Sequence, residues 1–181
     1  MNVKSLAAIA IALSFSTQAF AGEGEFTKGP IFTTMGQAAQ VKADMTIPKN
    51  TRFAVAFDTA KAAKVGEINS TLNTAARFIN MHAAAGVKKK HMKLAVVVHS
   101  KAAFDLTKDS YYGGKYEGTK NVNASAIEAL TDNNVRIILC GQTAAYYDID
   151  NSDLLPNVEM ALSAMTAHTL LQQEGYTLNP F

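Results

Sequence analysis

The sequence predicts an α/β protein, a three-layer α/β/α domain built around a mostly parallel sheet of about five strands. Two observations carry this prediction. Short apolar runs of β-branched and large residues, which are typical of strands buried on both faces, recur along the chain. Between them lie stretches whose apolar residues recur at helical spacing. This alternation of strands and helices favours a parallel sheet with helices on both faces.

Residues 1–21 have the composition of a secretory signal peptide. Lys4 supplies a positive charge, residues 6–15 an apolar run, and residues 19–21 a small-x-small cleavage signal. The apolar run is too short to span a bilayer and remain there. We therefore expect cleavage after Ala21, a periplasmic or secreted mature protein, and no stable membrane insertion afterwards.

The charge balance argues against a nucleic-acid partner. The chain carries 17 basic and 15 acidic residues, and cleavage would remove Lys4 and no acid, which leaves a net charge of about +1. A dedicated nucleic-acid binder normally has a strongly basic face. We therefore expect no nucleic-acid binding.

The first half of the mature chain divides into an arm and the start of the domain. Residues 22–50 lack sustained periodicity and are predicted to be an N-terminal arm, with the α/β domain over residues 51–181. Residues 52–58 form the first predicted strand. A helix capped by Asn69 or Ser70 follows and ends at Gly86. Residues 92–99 form the second strand.

The second half contains a long connection and three further strands. Residues 101–122 should hold a short helix and a mobile loop, since so long a connection is unusual in a compact domain. Asn123 is predicted to cap the helix that leads into the strand at residues 135–140. From Asn157 we favour a strand at residues 158–162 and a helix capped by Ser163 over one long helix. A last strand covers residues 176–178.

Cys140, the only cysteine in the chain, is the first candidate site residue. It ends a buried strand, and in open α/β sheets ligands bind outside the carboxyl ends of the strands. A helix beginning after it would lower the pKa of its thiol through backbone N–H groups and the helix dipole, and Gly141 would permit close approach. Gln142 and Thr143 complete this strand end. Alternatively, Cys140 is a small, inert core residue or pairs with a cysteine of another chain.

Other candidates lie at the same predicted edge of the sheet. His99 ends the second strand, where it could stabilise a thiolate or transfer a proton, or could simply cap the strand through a backbone hydrogen bond. Ser100 follows it. Five tyrosines, Tyr146 among them, fall in two segments above this edge and could form a partner surface or a lid, or could merely cover the core.

No cofactor or metal site is predicted. The glycine-rich phosphate-binding patterns and the nucleophile-elbow pattern G-x-S-x-G are absent from the sequence. The pairs Met81–His82 and His91–Met92 offer soft ligands for copper, but methionine as a core filler is the better interpretation.

Several motifs resemble the DsrE/DsrF-like family over residues 51–176. They are residues 96–99 (Val-Val-Val-His), 137–143 (Ile-Ile-Leu-Cys-Gly-Gln-Thr), 154–158 (Leu-Leu-Pro-Asn-Val), Ser163-Ala164 and 171–176 (Leu-Gln-Gln-Glu-Gly-Tyr). The resemblance implies a three-layer α/β/α fold assembled into trimers or hexamers, and sulfur carried as a cysteine persulfide. Cys140 matches the family's sulfur-carrying cysteine, and His99 matches a strand-end histidine.

The resemblance leads to two hypotheses of different class. The first is a periplasmic sulfur-relay protein that carries sulfane sulfur as a persulfide on Cys140, with help from His99. Its site would include Ser100, Gly141, Gln142, Thr143 and Tyr146. The second is a non-catalytic oligomeric module that binds a small ligand or a protein and has a structural cysteine. Because the family's relay members work in the cytoplasm, the resemblance names neither a sulfur donor nor an acceptor for an exported chain.

Overall fold

The computed structural model describes residues 25–180, so the predicted signal peptide at residues 1–21 lies outside the described residues. Five strands form one sheet in the order β4-β3-β2-β1-β5, and all four strand pairings are parallel. The strands are β1 (Phe53–Thr59), β2 (Met92–Val98), β3 (Val135–Cys140), β4 (Val158–Ala161) and β5 (Thr177–Asn179). The predicted α/β fold with a parallel sheet is confirmed.

Helices cover both faces of the sheet. They are α1 (Ser70–Ala84), α2 (Asp109–Lys115), α3 (Asn123–Asp132), α4 (Gly141–Tyr147) and α5 (Ala164–Gln173). The larger core includes buried residues of α1 and α3, whereas α5 covers the smaller core on the other face. Small side chains such as Ala56 and Ala95 lie under α5, so this helix packs close to the sheet.

Two predicted helix caps are confirmed and one is wrong. The side chain of Asn69 accepts the N–H of Thr71 at 2.9 Å, and that of Ser163 accepts the N–H of Thr166 at 3.0 Å. Asn123 is not a cap but the first residue of α3. Asn121 accepts the Asn123 N–H at 3.0 Å, and the side chain of Asn123 accepts the N–H of Asn69 at 2.7 Å instead of capping α3.

The long connection after β2 is packed against the core. It begins with a 3₁₀ helix at Ser100–Leu106, in which Ala102, Ala103 and Leu106 are buried, and continues into α2. The predicted short helix is thus present. The segment between β2 and β3, which was expected to contain a loop, consists largely of helical turns. Its apolar residues pack onto the larger core at the carboxyl ends of the strands.

The buried side chain of Asn80 makes most of the hydrogen bonds that hold the arm to α1, and Asn73 adds one by accepting the N–H of Gly36 at 2.7 Å. Asn80 Oδ1 accepts the N–H groups of Ile31 and Phe32 at 3.1 and 2.9 Å, and its Nδ2 donates to the carbonyls of Phe32 and Gly36, both at 2.9 Å. Phe32 and Met35 are buried in the larger core. Residues 31–36 therefore belong to the folded body, although their sequence shows no periodicity.

Within residues 25–180, no helix is both long enough and apolar enough to cross a membrane.

We predict that Asn80→Ala lowers the free energy of unfolding by about 3 kcal/mol, because several backbone groups of the arm lose their partner in a buried place. Urea unfolding followed by circular dichroism measures the change. Gln40→Ala, at an exposed position of the same arm, is the matched control and should change stability by less than about 0.5 kcal/mol. Equal stability of the two variants would contradict the role given to Asn80.

Candidate functional site

Three polar residues are aligned at the carboxyl ends of adjacent strands. The register pairs Asp58 with Val97 and Val97 with Ile138, and these three side chains share the face covered by α5 because side chains alternate along a strand. Cys140 is the next residue on that face in β3, and His99, which directly follows β2 in extended conformation, continues the same alternation. The fold thus brings together the predicted His99 and Cys140, and adds Asp58 beside them.

The Cys140 thiol is surrounded by hydrogen-bond donors. Its residue is only 6% exposed and forms no disulfide. Burial raises the pKa of the thiol, but hydrogen bonds from the Thr143 hydroxyl and from the backbone N–H groups of Thr143, Ala164 and Gln142 outweigh burial, so the pKa lies below its ordinary value. The site therefore stabilises the thiolate, the nucleophilic form of cysteine, more than water does for an ordinary cysteine.

These donors come from the first turns of two helices. Helix α4 begins directly after Cys140 and α5 begins at Ala164. The first N–H groups of a helix have no partner within it. The predicted transition from strand to helix at Cys140 is confirmed, whereas the contribution of α5, which lies more than twenty residues later in the chain, is visible only in the fold.

The Thr143 hydroxyl is oriented by its neighbour across the site. Its Oγ1 accepts the N–H of Ser100 at 3.1 Å. Because a hydroxyl carries a single hydrogen, this bond leaves that hydrogen free to point at the Cys140 sulfur. Ser100 has φ of +51°, a left-handed conformation that is uncommon for a residue with a side chain and that is found at functional sites.

Gly141 and Gln142 hold the start of α4 against the end of β4. A Cβ atom on Gly141 would lie 2.5 Å from the carbonyl oxygen of Ala161, so no larger residue fits without moving the backbone. Gln142 Nε2 donates to the carbonyl of Leu162 at 3.2 Å. The two predicted residues thus keep the donors of α4 and α5 together around the thiol.

Two histidines share the carboxylate of Asp58. His99 Nε2 donates to Asp58 Oδ2 at 3.1 Å, and His168 Nε2, from α5, donates to Oδ1 at 2.8 Å. In a neutral ring this leaves Nδ1 as the acceptor nitrogen. His99 Nδ1 lies 3.2 Å from Ser100 Oγ, whereas His168 Nδ1 is buried and has no hydrogen-bond partner among residues 25–180.

Sequence reasoning missed Asp58 and His168 for different reasons. Asp58 is the last residue of the first predicted strand, so the argument that selected His99 and Cys140 could also have selected it. His168 lies inside a helix and carries no signal of this kind. Only the packing of α5 brings it within 2.8 Å of Asp58.

The tyrosines mostly cover the core. The rings of Tyr111, Tyr116 and Tyr147 pack around Phe104, with centroids 4.7 to 6.3 Å from its ring. Tyr146, the predicted ligand residue, is 77% exposed and packs edge-on against Tyr147 at 4.8 Å. The structure thus favours the interpretation that these tyrosines cover the core over the interpretation that they form a lid or a partner surface.

Met81 and His82, considered above as soft copper ligands, lie near the end of α1, and His82 packs on its own helix. The ring of His82 stacks on Phe78 at 4.0 Å, and its Nδ1 donates to the Phe78 carbonyl at 2.7 Å. Among residues 25–180, no three side chains of histidine, cysteine, aspartate or glutamate are grouped so that they could hold a metal ion.

Comparisons with known proteins agree with the fold. Similar solved structures include the protein of unknown function MTH1491 from Methanobacterium thermoautotrophicum (19% identity, TM-score 0.52, 72% of this chain and 99% of that one) and the ychN protein from E. coli (18% identity, TM-score 0.51, 71% of this chain and 99% of that one). No functionally curated protein matches the chain significantly. The model of the DsrE/DsrF-like family matches residues 51–180. The chain therefore belongs to the DsrE/DsrF-like family.

Proposed function

We propose that this protein is a sulfur-relay protein that carries sulfane sulfur as a persulfide on Cys140. Membership of the DsrE/DsrF-like family suggests a role of this type. The observation that carries the proposal is the set of hydrogen-bond donors around Cys140, which lowers the pKa of the thiol despite its burial. A cysteine that only filled the core would need no such donors.

The relay needs two sulfur exchanges and no external oxidant. In loading, the Cys140 thiolate attacks the outer sulfur of a donor persulfide, a new S–S bond forms, and the donor leaves as a thiolate. In discharge, an acceptor thiolate attacks the outer sulfur on Cys140, takes it as a persulfide, and releases the Cys140 thiolate. Because the chain has a single cysteine, the acceptor must be another molecule.

The hydrogen bonds around Cys140 would act in both exchanges. They stabilise the thiolate that attacks in loading and leaves in discharge, and a leaving thiolate departs faster when its pKa is lower. Asp58 would orient the ring of His99, as a carboxylate orients a histidine in other sites. The acceptor nitrogen of His99 could then take up or return the proton carried by the persulfide.

The cellular setting belongs to the same proposal. We infer export to the periplasm from the signal peptide predicted for residues 1–21, and assembly into a homotrimer or homohexamer from the resemblance. The side chains of Leu162, just before α5, and Met165, in its first turn, are exposed, and the same turn supplies the Ala164 donor. An acceptor that covers these apolar groups would reach the thiol from the side of α5.

A second function is favoured by one observation. Cys140 is only 6% exposed, which suits a structural cysteine in a non-catalytic module that binds a small ligand or a protein at the same edge. In that case thiol reagents would reach Cys140 only after unfolding, and ligand binding would persist in Cys140→Ala. The two functions therefore differ in the reactivity of a single thiol.

We predict that the folded mature protein gains mass in steps of one sulfur atom on exposure to polysulfide, and that Cys140→Ser abolishes the gain. The serine hydroxyl is similar in size but is not a nucleophile at neutral pH. Intact-mass spectrometry measures the gain, and circular dichroism checks that the variant is folded. Loading that survives in Cys140→Ser would exclude Cys140 as the carrier.

We predict that Thr143→Val raises the pKa of the Cys140 thiol and slows its alkylation near neutral pH about tenfold, because the lost hydrogen bond stabilises the thiolate. The rate should fall as the pH drops below the thiol pKa, and in the variant this fall should begin at higher pH. Iodoacetamide alkylation between about pH 5 and 9 measures both effects. Thr143→Ser keeps the hydroxyl and should restore the rate, and identical profiles for Val and Ser would contradict the role of the hydroxyl.

We predict that Asp58→Asn slows sulfur loading about tenfold while alkylation of Cys140 stays within about twofold, because the amide cannot accept the N–H groups of both histidines. Loading from polysulfide is followed by stopped-flow absorbance. Asp44→Asn, at an exposed position of the arm, is the control. Unchanged loading in Asp58→Asn would show that the two histidines do not contribute to sulfur loading.

A further inference from the structure

The opposite, amino-terminal edge of the sheet has two adjoining pockets that the relay site does not use. One, of about 390 Å³, lies between the starts of β1 and β2 and the turn after α5. The other, of about 340 Å³, lies between the end of the arm and the turn that follows α1. His91 lines both pockets. We call the two pockets together the amino-edge groove.

Positive charges dominate the lining of the groove. Arg52, Lys90 and Lys93 line the larger pocket, and Lys49 and Lys88 line the smaller one. All five side chains belong to exposed residues. Like charges that line one groove repel one another, and an external anion would reduce this repulsion.

The protein itself provides little counter-charge. None of the five cations is within 4.0 Å of a carboxylate oxygen among residues 25–180. Glu174 is the one acidic residue that lines either pocket, and its carboxylate already pairs with Arg136 at 3.4 Å. The cations are therefore available to an external anion.

His91 lies among these cations at the junction of the two pockets. Desolvation and the charges of Arg52, Lys90 and Lys88 lower the pKa of His91 below its ordinary value. These residues come from the start of β1 and from the turn before β2, so the charges converge on the groove from two elements. A multiply charged anion would gain from all of them at once.

We propose that the amino-edge groove binds a ligand that carries more than one phosphate group. Lysine binds phosphate as a point charge, and this lining is rich in lysine. Each pocket has a volume within the range of small-molecule sites, and the two lobes on either side of His91 suit two linked anionic groups. A soluble oligophosphate and the phosphates of an anionic lipid share this chemistry.

The groove is separate from the relay site. It lies at the amino-terminal ends of β1 and β2, whereas Cys140 lies at the carboxyl edge, and a strand of seven residues spans about 20 Å. We therefore expect phosphate binding to be independent of sulfur loading. Cys140→Ser should bind phosphate as the wild type does, so failure of one proposal leaves the other intact.

Calorimetric titration of the mature protein with tripolyphosphate, at about 150 mM salt, tests the proposal. We expect saturable binding, and at least about a tenfold loss of affinity in the double variant Lys90→Gln/Lys93→Gln. The matched control is Lys61→Gln/Lys120→Gln, which removes the same charge at exposed positions outside the groove and should keep the affinity within about twofold.

Vesicles distinguish the two sources of phosphate. Tripolyphosphate binding without sedimentation on vesicles that contain cardiolipin, a lipid with two phosphates per molecule, identifies a soluble ligand. Sedimentation on these vesicles but not on phosphatidylcholine vesicles, with loss in Lys90→Gln/Lys93→Gln, identifies the lipid. Absence of saturable binding in both arms, or an equal loss in the control variant, overturns the proposal.

Discussion

The in-register parallel pairing of β1, β2 and β3 is the constraint on which the candidate site depends. This pairing places Asp58, His99 and Cys140 on one face at one edge of the sheet. A slip of one residue would turn every side chain of a strand to the opposite face. In β2 it would exchange small Ala95 under α5 with large neighbours such as Leu94. Because the two faces of the sheet need side chains of different size, packing favours this register. The register in turn fixes the position of the thiol.

A buried polar network supports the same edge from the side of α1. Asp105 Oδ2 accepts Asn69 Nδ2 at 2.7 Å and the N–H of Ala63 at 2.8 Å, and Asn123 accepts the N–H of Asn69. Burial raises the pKa of Asp105 even though these bonds oppose it. Such a network joins the connection after β1 to the 3₁₀ helix after β2 and to α3. Because unpaired buried polar groups are costly, it specifies one arrangement of these connections.

How much could be predicted from sequence differs between the fold and the site. Buried strands and capped helices are local patterns. The fold class, the strand that ends at Cys140 and the Ser163 cap can therefore be predicted from the sequence. Asn123 was misassigned because its partner, Asn69, is distant in sequence. His168 was missed for the same reason, since its contact with Asp58 spans 110 residues. Residues that act through long-range packing leave no periodic signal.

Negative charge would be stabilised by neutral hydrogen-bond donors at the carboxyl edge of the sheet and by lysine and arginine side chains at the amino edge. Neutral donors suit the chemistry proposed for Cys140. At Cys140 the charge of a thiolate is stabilised by N–H and hydroxyl dipoles, and no cation is among the groups that lower the pKa of the thiol. A thiol whose pKa falls too far loses nucleophilicity, so neutral donors promote the thiolate without the stronger effect of a paired cation. Burial opposes these donors in the free protein.

A partner docked over Leu162 and Met165 would remove water from the same hydrogen bonds and strengthen them, because hydrogen bonds are electrostatically stronger in a low dielectric. The sulfur would then be most reactive when an acceptor is present and least accessible when none is. For a carrier with a single cysteine this coupling matters, since a persulfide exposed to free thiols would lose its sulfur before reaching the acceptor. The 6% exposure of Cys140 is thus compatible with a working thiol, and in the proposed relay burial would protect the carried sulfur.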